Sequence, residues 1–540
     1  MKKLTALLLS LVMVLSLCTF AVAEEKPVLT MWIPEDLRVE DWDTNMMTQW
    51  LEEQLGCELK FIVQPSTDYT TKVNMALTVG AIEDLPDVIL GGDGTVSFSD
   101  SNVWEWAQAG TILCLNDYYN DPELAVNINL AKERTGVNYP AQITSPDGNL
   151  YAVATYNQSY GNEYVKKMWL YQPWLEKLGK EIPKTTDEFY ELLKAVKEGD
   201  PNGNGKADEL GLVGTSTFNN YFDGWFEFLM NAFVYAGDFQ YRTVTDGKLG
   251  VAYTTEEWRE GLRYIKKLMD EGLIPVENLT MSEEQFMAIL NTEEAIVFSH
   301  VYAAPDKINT DLGRDVQNVG IPPLVGPKGV QYASYAPSVA YARMVITVNC
   351  KNPELAFKFG DLMSSRYIGI SQRWGWEGIN WDYPENVKNI DEFRPNVPGF
   401  DISIVAYSDN TFWGGTAISN SSWRQRGPYV REYAIANGTA VSLVKVDVLN
   451  NIWNEACIMY QNGGWNPSQV IPKLIFTSEE YDAIGEIEVN LHTYADESIG
   501  AFLTGVKDLD ADWDAYLAEL DRIGLNEYLK VAQEVYDRMY

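Results

Sequence analysis

Short apolar segments that alternate with amphipathic helical segments constrain the fold of this chain more than any other feature. Because strands that alternate with helices form parallel βαβ units, the alternation predicts an α/β fold. In open parallel sheets, ligands bind beyond the carboxyl ends of the strands. The pattern therefore places Trp32 and the turn from Gly91 to Gly94, which contains Asp93, at a binding edge. The alternating segments are a strand at 29–33, a helix at 44–55, a strand at 57–63, a helix at 69–78 and a strand at 87–90.

Helical patterns dominate the chain after Trp169. Thr185 and Glu188 have the spacing of a capping box, and the apolar positions that follow form one helical stripe. The 540 residues contain no Pro- or Ser-rich linker, no low-complexity tract and no repeat of fixed period. We therefore expect one large two-lobed unit and not a string of independent domains.

The segment from Asp200 to Glu209, DPNGNGKADE, is the motif whose spacing points most directly to a chemistry. Oxygen-bearing side chains at alternate positions, separated by glycines that permit tight curling, wrap a hard cation such as calcium. The motif is similar to the first half of an EF-hand loop, but its twelfth position is Gly211 in place of glutamate. An Asn-Gly turn after a helix is the alternative interpretation. The predicted calcium ligands are the side chains of Asp200, Asn202, Asn204, Asp208 and Glu209 and the backbone carbonyl of Lys206.

The charge balance limits the class of partner. The formal net charge of −36 argues against nucleic acid, because proteins that bind it need basic patches. It also argues against polyanionic ligands, although one local basic pocket would override the overall balance. We therefore expect an uncharged ligand.

The first 23 residues have the pattern of an export signal. Lys2 and Lys3 precede an apolar run over 4–17, and Ala21-Val22-Ala23 follows as a small-x-small cleavage site. The run is shorter than the roughly 20 residues that a spanning helix needs. Cys18 offers a lipid anchor as an alternative, but Leu17 stands where a small residue is expected. We therefore expect cleavage after Ala23 and an exported protein, either periplasmic or associated with the cell surface.

The remaining cysteines show no metal-binding spacing. Cys57, Cys114, Cys350 and Cys457 lie far apart in the sequence, so zinc is not expected. Export permits disulfides, but a chain of this size does not require them. We expect free, buried thiols.

Motifs of common hydrolases are missing or out of order. Neither His300 nor His492 belongs to a nucleophile motif, and the sequence lacks G-x-S-x-G and H-E-x-x-H. An S-x-x-K match at 442–445 and an S-D-N match at 408–410 run in the wrong order for penicillin-binding enzymes. We therefore expect no enzyme activity. A secreted glycoside hydrolase stays open as an alternative, because 77 acidic residues offer many carboxylate pairs.

Several stretches, taken in order, resemble family 1 extracellular solute-binding proteins, the receptor subunits of ABC importers, in the branch that carries a calcium loop. The resemblance spans nearly all of 29–540. One departure concerns the signal, since most Gram-positive relatives carry a clear lipobox. The stretches are DGNLYAVATY (147–156), WLEKLGKEIPKTTDEFYELLKAV (174–196), the 200–209 loop, EGLRYIKKLMDEGLI (260–274), NPELAFKFGDLM (352–363), WGWEGINW (374–381) and the C-terminal FLTGVKDLDADWDAYLAELDRIGLNEYL.

The resemblance implies a two-lobed, periplasmic-binding-protein-like (type II) fold, with a hinge and a ligand cleft between the lobes. Lobe 1 is expected at 27–150 plus about 301–365. Lobe 2 is expected at 151–300 plus about 366–540 and carries the loop. Closure of the lobes around ligand is the signal to the permease. Relatives that bind alginate oligosaccharides hold calcium in this loop, which implies the same six ligands here, from Asp200 to Glu209.

The aromatic content suits a sugar ligand. The chain has 17 tryptophans and 31 tyrosines, and the C–H face of a pyranose stacks on such rings while polar neighbours bind its hydroxyls. The strongest candidates lie on a segment with glycines at 375 and 378, and an aromatic packing segment is the alternative. These candidates are Arg373, Trp374, Trp376 and Glu377, and weaker ones, for which a core role is the alternative, are Tyr156, Trp225, Tyr302 and Tyr335.

The expected function is reversible capture of an oligosaccharide by a monomer that delivers it to an ABC permease. Neutral oligosaccharides are expected to bind better than uronates, because like charge slows encounter. A peptide or another solute on the same fold is the alternative ligand.

Overall fold

The structure is a computed structural model that describes most of the chain. The described residues are 26–92, 96–158, 163–216, 224–238, 240–305, 308, 311–383, 386, 403–404, 418–431, 445–465 and 467–540.

The strands form two main sheets and two smaller pairs. The large sheet has the order β14–β4–β11–β3–β1–β2, the small sheet has the order β10–β5–β9–β6, and β7–β8 and β12–β13 are two-stranded. The strands are β1 (Val28–Pro34), β2 (Glu58–Gln64), β3 (Val88–Leu90), β4 (Val153–Asn157), β5 (Lys167–Tyr171), β6 (Leu210–Val213), β7 (Arg242–Thr245), β8 (Lys248–Val251), β9 (Val297–Tyr302), β10 (Asn318–Ile321), β11 (Ala340–Ile346), β12 (Trp381–Asp382), β13 (Ser403–Ile404) and β14 (Val430–Arg431).

Helices surround the sheets, and short 3-10 turns occur at 82–84, 139–143, 252–254, 276–279 and 315–317. The helices are α1 (Met46–Leu55), α2 (Tyr69–Val79), α3 (Asp100–Gln108), α4 (Asn116–Asn120), α5 (Val126–Thr135), α6 (Gln172–Leu178), α7 (Thr186–Gly199), α8 (Trp225–Met230), α9 (Glu256–Asp270), α10 (Glu283–Leu290), α11 (Pro353–Met363), α12 (Arg366–Trp374), α13 (Lys445–Asn462), α14 (Ser478–Thr504), α15 (Trp513–Ile523) and α16 (Leu525–Met539).

Lobe 1 is the part of the chain built on the large sheet. The strands β1, β2 and β3 are parallel, and β11 is antiparallel to both β3 and β4. Since β14 is parallel to β4, the carboxyl ends of β1, β2, β3, β4 and β14 meet at one edge. On β1, Leu29, Met31 and Ile33 are buried at alternate positions, as a half-buried strand requires. The predicted α/β arrangement of this region is confirmed.

Lobe 2 is the part built on the small sheet, the β7–β8 hairpin and the C-terminal helices. Thr185 and Glu188 cap α7 reciprocally, as predicted, at 3.1 and 3.2 Å between backbone nitrogen and side-chain oxygen. The buried face of α7 belongs to the same core as the buried residues of α9, α14, α15 and α16. The C-terminal helices therefore complete the core of lobe 2.

Two segments carry the chain between the lobes among the described residues. The first joins β4 to β5, and its described residues are 158 and 163–166; the second joins β10 to β11 over residues 322–339. The connection from β14 to α13 lies outside the described residues. The predicted bounds do not coincide with this sheet membership at two strands, since β4 lies in the large sheet and β10 lies in the small one. Likewise β14 adds to the large sheet, although 366–540 was assigned to lobe 2. Strand pairing between residues far apart in sequence determines these memberships, and no local pattern reports it.

The cysteines are unpaired in the part of the chain described. Cys57 and Cys457 are buried as expected, but Cys350 is only half-buried and Cys114 is exposed. Cys18 lies outside the described residues. No described helix combines the length and the apolar character that a membrane crossing needs.

Candidate functional site

A cavity of about 460 Å³ lies between the two lobes, within the size range of small-molecule sites. Both lobes and the second crossing segment contribute to its walls. The lining side chains used below are Thr155, Asn157, Tyr341, Arg343 and Tyr429 from lobe 1, Tyr335 and Ser338 from the crossing segment, and Tyr235, Asp238, Arg242 and Lys473 from lobe 2.

The lobe 1 wall is built from neighbouring strands of the large sheet. Thr155 on β4 donates its hydroxyl to the backbone oxygen of Tyr429 at 2.7 Å, which fixes the segment before β14 against β4. The guanidinium of Arg431 lies 4.7 Å from the centroid of the Tyr429 ring, a cation–π contact that holds the ring in place. Arg343, only 3% exposed, reaches the cavity from β11. This wall therefore combines an aromatic ring with a fixed cation.

The two crossing segments are tied together at the base of the cavity. The Ser338 hydroxyl donates to Oε1 of Glu163 at 2.9 Å, and the Ala336 backbone nitrogen donates to the Glu163 backbone oxygen at the same distance. Burial raises the pKa of Glu163, and the hydrogen bonds from Ser338 act in the opposite direction. Glu163 therefore ties these two crossing segments to each other.

Aromatic residues support the crossing segment from lobe 2. The Tyr235 hydroxyl donates to the Tyr335 backbone oxygen at 2.8 Å. The Tyr335 ring lies 5.1 Å from that of Tyr164, which packs in turn near Tyr460. Burial raises the pKa of Tyr335, so its hydroxyl stays protonated and able to donate a hydrogen bond.

An ion pair forms part of the lobe 2 wall. Nε of Arg242 donates to Oδ1 of Asp238 at 3.0 Å, and Nη2 donates to Oδ2 at 3.2 Å. Burial opposes the charge of Arg242, but the Asp238 carboxylate more than offsets this, so the pKa of Arg242 is raised. The ion pair of Arg242 and Asp238 therefore offers a ligand both a hydrogen-bond donor and a hydrogen-bond acceptor in a fixed orientation.

Lys473 reaches from lobe 2 to lobe 1 beside the cavity. Its Nζ lies 2.7 Å from Oδ2 of Asp100, at the start of α3, and donates to the Ala340 backbone oxygen at 3.0 Å. The same Nζ lies 5.4 Å from the centroid of the Tyr341 ring. Since Tyr540 donates its hydroxyl to the Lys473 backbone oxygen at 3.0 Å, the lysine is anchored on lobe 2.

One acceptor in the cavity wall has no hydrogen-bond partner among the described residues. Oδ1 of Asn157, at the carboxyl end of β4, is buried and unpaired. A buried polar atom without a partner costs about 1–3 kcal/mol, so a donor from a ligand would stabilise it. With the tyrosine rings around it, the cavity can bind a molecule that has both apolar faces and hydroxyl groups.

Four of the residues predicted to contact ligand lie in hydrophobic cores. Trp225 donates its indole N–H to the Thr215 backbone oxygen, and Trp376 donates its own to that of Ser421, at 3.0 and 2.9 Å. Tyr156 stacks on Tyr139 with 5.4 Å between ring centroids. Tyr302, Trp225 and Trp376 are 5%, 2% and 7% exposed. The structure thus corrects these predictions, because each ring is covered by core neighbours.

The remaining candidates divide three ways. Tyr335 lines the cavity. Trp32 is half-buried on β1 with Lys72 Nζ at 5.9 Å from its centroid, and Glu377 is exposed; neither lines the cavity. Asp93 and the side chains of Arg373 and Trp374 lie outside the described residues.

Sequence reasoning missed most of the cavity wall. Arg343 and Asn157 carried a usable signal, since a cation within the apolar strand AYARMVI and an amide at a strand's carboxyl end are unusual there. Asp238, Tyr429 and Lys473 lie in segments without a local pattern, and only the tertiary fold brings them together.

The 200–209 loop has the curled backbone that the motif predicts. Asp200 adopts a left-handed φ of 43°, and Gly203 and Gly205 have φ of 78° and 74°. The Asp200 carboxylate accepts from the backbone nitrogens of Gly203 and Gly205 at 2.9 and 3.0 Å. Oδ1 of Asn202 and Oδ1 of Asn204 accept in the same way from residues two positions further on. These hydrogen bonds hold the side-chain oxygens of Asp200, Asn202 and Asn204 against the backbone of one loop.

The two acidic residues at the end of the loop fit a cation as well. Asp208 accepts from the amides of Asn202 and Asn204 at 2.9 and 3.0 Å, which lowers the pKa of Asp208. Oε1 of Glu209 is buried and has no hydrogen-bond partner among the described residues. No three acidic, His or Cys side chains of the described part gather into a metal site, so the loop would also need amide and backbone oxygens, including that of Lys206. The donor set is thus the hard-oxygen type that suits calcium.

The two lobes, the crossing segments and the cavity between them define a solute-binding protein of the two-lobed, periplasmic-binding-protein-like class with an α/β fold. Residues 38–366 match the family model described as bacterial extracellular solute-binding protein, and the chain belongs to this family. The family predicted from the sequence is therefore confirmed.

Known proteins similar to this chain cover nearly its whole length. The fructooligosaccharide ABC transporter substrate-binding protein FusA of Streptococcus pneumoniae serotype 4 is 27% identical over 533 residues, 96% of this chain and 92% of FusA. The crystal structure of an extracellular solute-binding protein from Bifidobacterium longum subsp. infantis is similar with a TM-score of 0.72 and 20% identity, over 96% of this chain and 99% of that one. The structure of an EF-hand mutant of the S. pneumoniae FusA in complex with fructo-nystose gives a TM-score of 0.64 and 24% identity, over 95% and 99%.

Proposed function

We propose that this protein captures a neutral oligosaccharide in the cavity between its lobes and delivers it to an ABC permease. The observation that carries the proposal is the cavity wall, which contains four tyrosines and the unpaired acceptor of Asn157. A sugar supplies what this wall lacks, because its hydroxyls donate to Asn157 while its C–H faces contact the rings.

The similarity to FusA supports this ligand class. FusA is named for fructooligosaccharides, and its similarity to this chain extends over both lobes and both crossing segments. The composition gives a second argument, since a net charge of −36 disfavours encounter with anionic ligands.

The proposal includes a calcium ion in the 200–209 loop. The unpaired oxygen of Glu209 and the oxygens of Asp200, Asn202 and Asn204 that curl the loop support it. The relative FusA supports it also, since its structure has been determined as an EF-hand mutant. Bound calcium would supply a charge that holds the start of β6 to the end of α7, and no chemistry on the ligand.

Binding is proposed to be reversible and without catalysis, by an exported monomer. The export signal at 1–23 lies outside the described residues, and membership of an extracellular family supports export. Incubation with end-labelled oligosaccharides distinguishes a receptor from a glycoside hydrolase, since only the hydrolase releases shortened products.

Calorimetry against a fixed panel tests the ligand class. The panel contains fructo-nystose, maltotetraose, cellotetraose and mannotetraose, their disaccharides, tetragalacturonate and a tetrapeptide. We expect one neutral tetrasaccharide to bind with micromolar or tighter affinity, which corresponds to about −8 kcal/mol. Binding of tetragalacturonate or of the tetrapeptide alone would overturn the proposal.

Asn157→Leu tests the site itself. Leucine has the same branching at Cγ but no acceptor, so affinity for the ligand found in the panel should fall by about 5- to 150-fold, the equivalent of about 1–3 kcal/mol. Asn526→Leu, at an exposed position of α16, is the matched control and should bind as the unmodified protein does. Equal affinities of the two variants would contradict the assignment of this cavity as the ligand-binding site.

A further inference from the structure

Arg424 and Gln425 form an unusual backbone turn. Their φ angles are 51° and 66°, so two consecutive residues with side chains adopt the left-handed conformation that favours glycine. Such strain persists only where the surrounding structure enforces it, and it clusters at binding sites.

The turn is held on both sides by contacts with the start of lobe 1. The Ser419 backbone nitrogen donates to the Arg38 backbone oxygen at 2.9 Å, and the Trp423 indole donates to the Thr48 hydroxyl at the same distance. After the turn, the Gly427 backbone nitrogen donates to the Gly91 backbone oxygen at 2.8 Å. These hydrogen bonds stabilise the left-handed conformation of Arg424 and Gln425.

The turn lies at the carboxyl edge of β1 and β3, where open α/β sheets bind their ligands. Next to it, Asp36 is held by Arg38 at 2.6 Å and by Arg426 at 3.4 Å. Gly92 permits the approach of Arg426, because a Cβ atom there would lie 2.9 Å from Nη1. Arg38 and Arg426, both held by the Asp36 carboxylate, therefore form a platform of guanidinium groups at this edge.

Arg424 is half-buried on this platform. Burial lowers the pKa of Arg424, and the nearby charges of Arg38 and Arg426 lower it further. A planar guanidinium presents five donors in a rigid fork, which matches neighbouring hydroxyl oxygens of a sugar ring.

The turn is also connected to the cavity. The Tyr429 hydroxyl donates to Oε1 of Gln425 at 3.3 Å, and Tyr429 is one of the residues that line the cavity. The strained turn is therefore in direct contact with a residue of the lobe 1 wall of the cavity.

We infer that the Arg424–Gln425 turn is a second binding element, in which Arg424 donates hydrogen bonds to hydroxyls of a sugar unit beyond the unit held in the cavity. The inference rests on the proposed oligosaccharide function and adds a preference for longer ligands. In this interpretation, the strained backbone orients the Arg424 guanidinium toward the ligand between the lobes.

Arg424→Gly tests the inference without disturbing the backbone, because glycine adopts a positive φ at no cost. Calorimetry with the tightest-binding tetrasaccharide of the panel and its disaccharide is compared between variants. We expect the tetrasaccharide affinity to fall about tenfold or more and the disaccharide affinity to stay within about twofold. The melting temperature should be equal to or above that of the unmodified protein.

Asp246→Gly is the matched control, since Asp246 has a φ of 50° in the β7–β8 turn. It should change neither affinity. Arg424→Asn provides a second test with a residue that tolerates the left-handed conformation and lacks the guanidinium. An unchanged tetrasaccharide affinity in both Arg424 variants would overturn the inference, as would an equal loss for both ligands together with a lower melting temperature. If the unmodified protein binds nothing in the panel, the proposed function fails first and the inference fails with it.

Discussion

At the scale of single residues, His300 shows how burial turns a titratable group into a pH-dependent term of stability. The side chain is 1% exposed on β9, with Phe286 at 6.4 Å between ring centroids. Burial lowers the pKa of His300 from 6.5 to about 3. Below pH 6.5 the unfolded chain therefore takes up a proton at this histidine that the folded chain does not accept until about pH 3.

We expect the contribution of His300 to stability to be complete above pH 6.5 and to decline as the pH falls. Each pH unit below the unfolded pKa costs up to about 1.4 kcal/mol, so about 2 kcal/mol is lost at pH 5. His300→Gln has a similar size and does not titrate in this range, so its free energy of unfolding should depend less on pH. Urea titrations of both proteins at pH 7.5 and pH 5.0 measure the difference, and parallel pH dependences would contradict the assignment.

The residue scale is also where sequence reasoning was weakest. Tryptophan and tyrosine serve both core and ligand surfaces, because each has a large apolar ring and one polar group. Trp376 shows the ambiguity: its ring packs near Trp50 and Tyr367, and its N–H is satisfied by the Ser421 backbone oxygen. Ser421 is far from Trp376 in sequence, so no local spacing indicated that this partner was available.

At the scale of elements, local patterns were more informative. The strands predicted at 29–33 and 57–63 correspond to β1 and β2 within one residue at each end. The capping box of α7 and the curl of the following loop are also as predicted, because backbone preferences and side-chain caps act over a few residues. The loop then continues directly into β6, whose partner β9 carries His300.

The position of the loop between α7 and β6 leads to a prediction about calcium. If calcium binds only the folded protein, a concentration one hundred times its Kd stabilises the fold by about 2.7 kcal/mol. Chelation should therefore lower the melting temperature by several degrees, as differential scanning calorimetry can measure.

Asp200→Asn should abolish this shift while keeping the backbone, because asparagine tolerates the left-handed φ of 43° at this position. Asp246→Asn is the matched control, with the same substitution at a φ of 50° outside the loop, and should keep the full shift. If chelator leaves the melting temperature of the unmodified protein unchanged, the prediction that the loop binds calcium is wrong.

At the scale of the whole molecule, the order of the lobes along the chain depends on contacts that no local pattern reports. The β14 strand joins β4 across more than 250 residues, and the C-terminal helices return to the core of lobe 2. The α/β class and the two lobes could be predicted from the alternation of elements and the family resemblance. The pairing of remote strands, and with it most of the cavity wall, required the tertiary structure.

The ion pair between Lys473 and Asp100 is a direct contact between the lobes outside the tie made by Glu163. The two side chains are 15% and 23% exposed, so solvent screens their attraction less than that of a surface pair. Ser478 supports the contact by donating its hydroxyl to Oε1 of Glu105 at 3.4 Å. We therefore expect this pair to stabilise the relative position of the lobes described here.

A double-mutant cycle with Lys473→Met and Asp100→Asn measures the contribution of the pair to the free energy of unfolding. We expect a coupling of about 1 kcal/mol, since the pair is partly buried and Lys473 also bonds the Ala340 backbone. The exposed pair of Lys358 and Glu354 on α11 is the control and should give about 0.3–0.5 kcal/mol. Small-angle X-ray scattering of the ligand-free double variant should show a broader distribution of interatomic distances, because the lobes lose one of their links. A coupling no larger than that of the control pair, with an unchanged scattering profile, would mean that the lobes are positioned by the crossing segments alone.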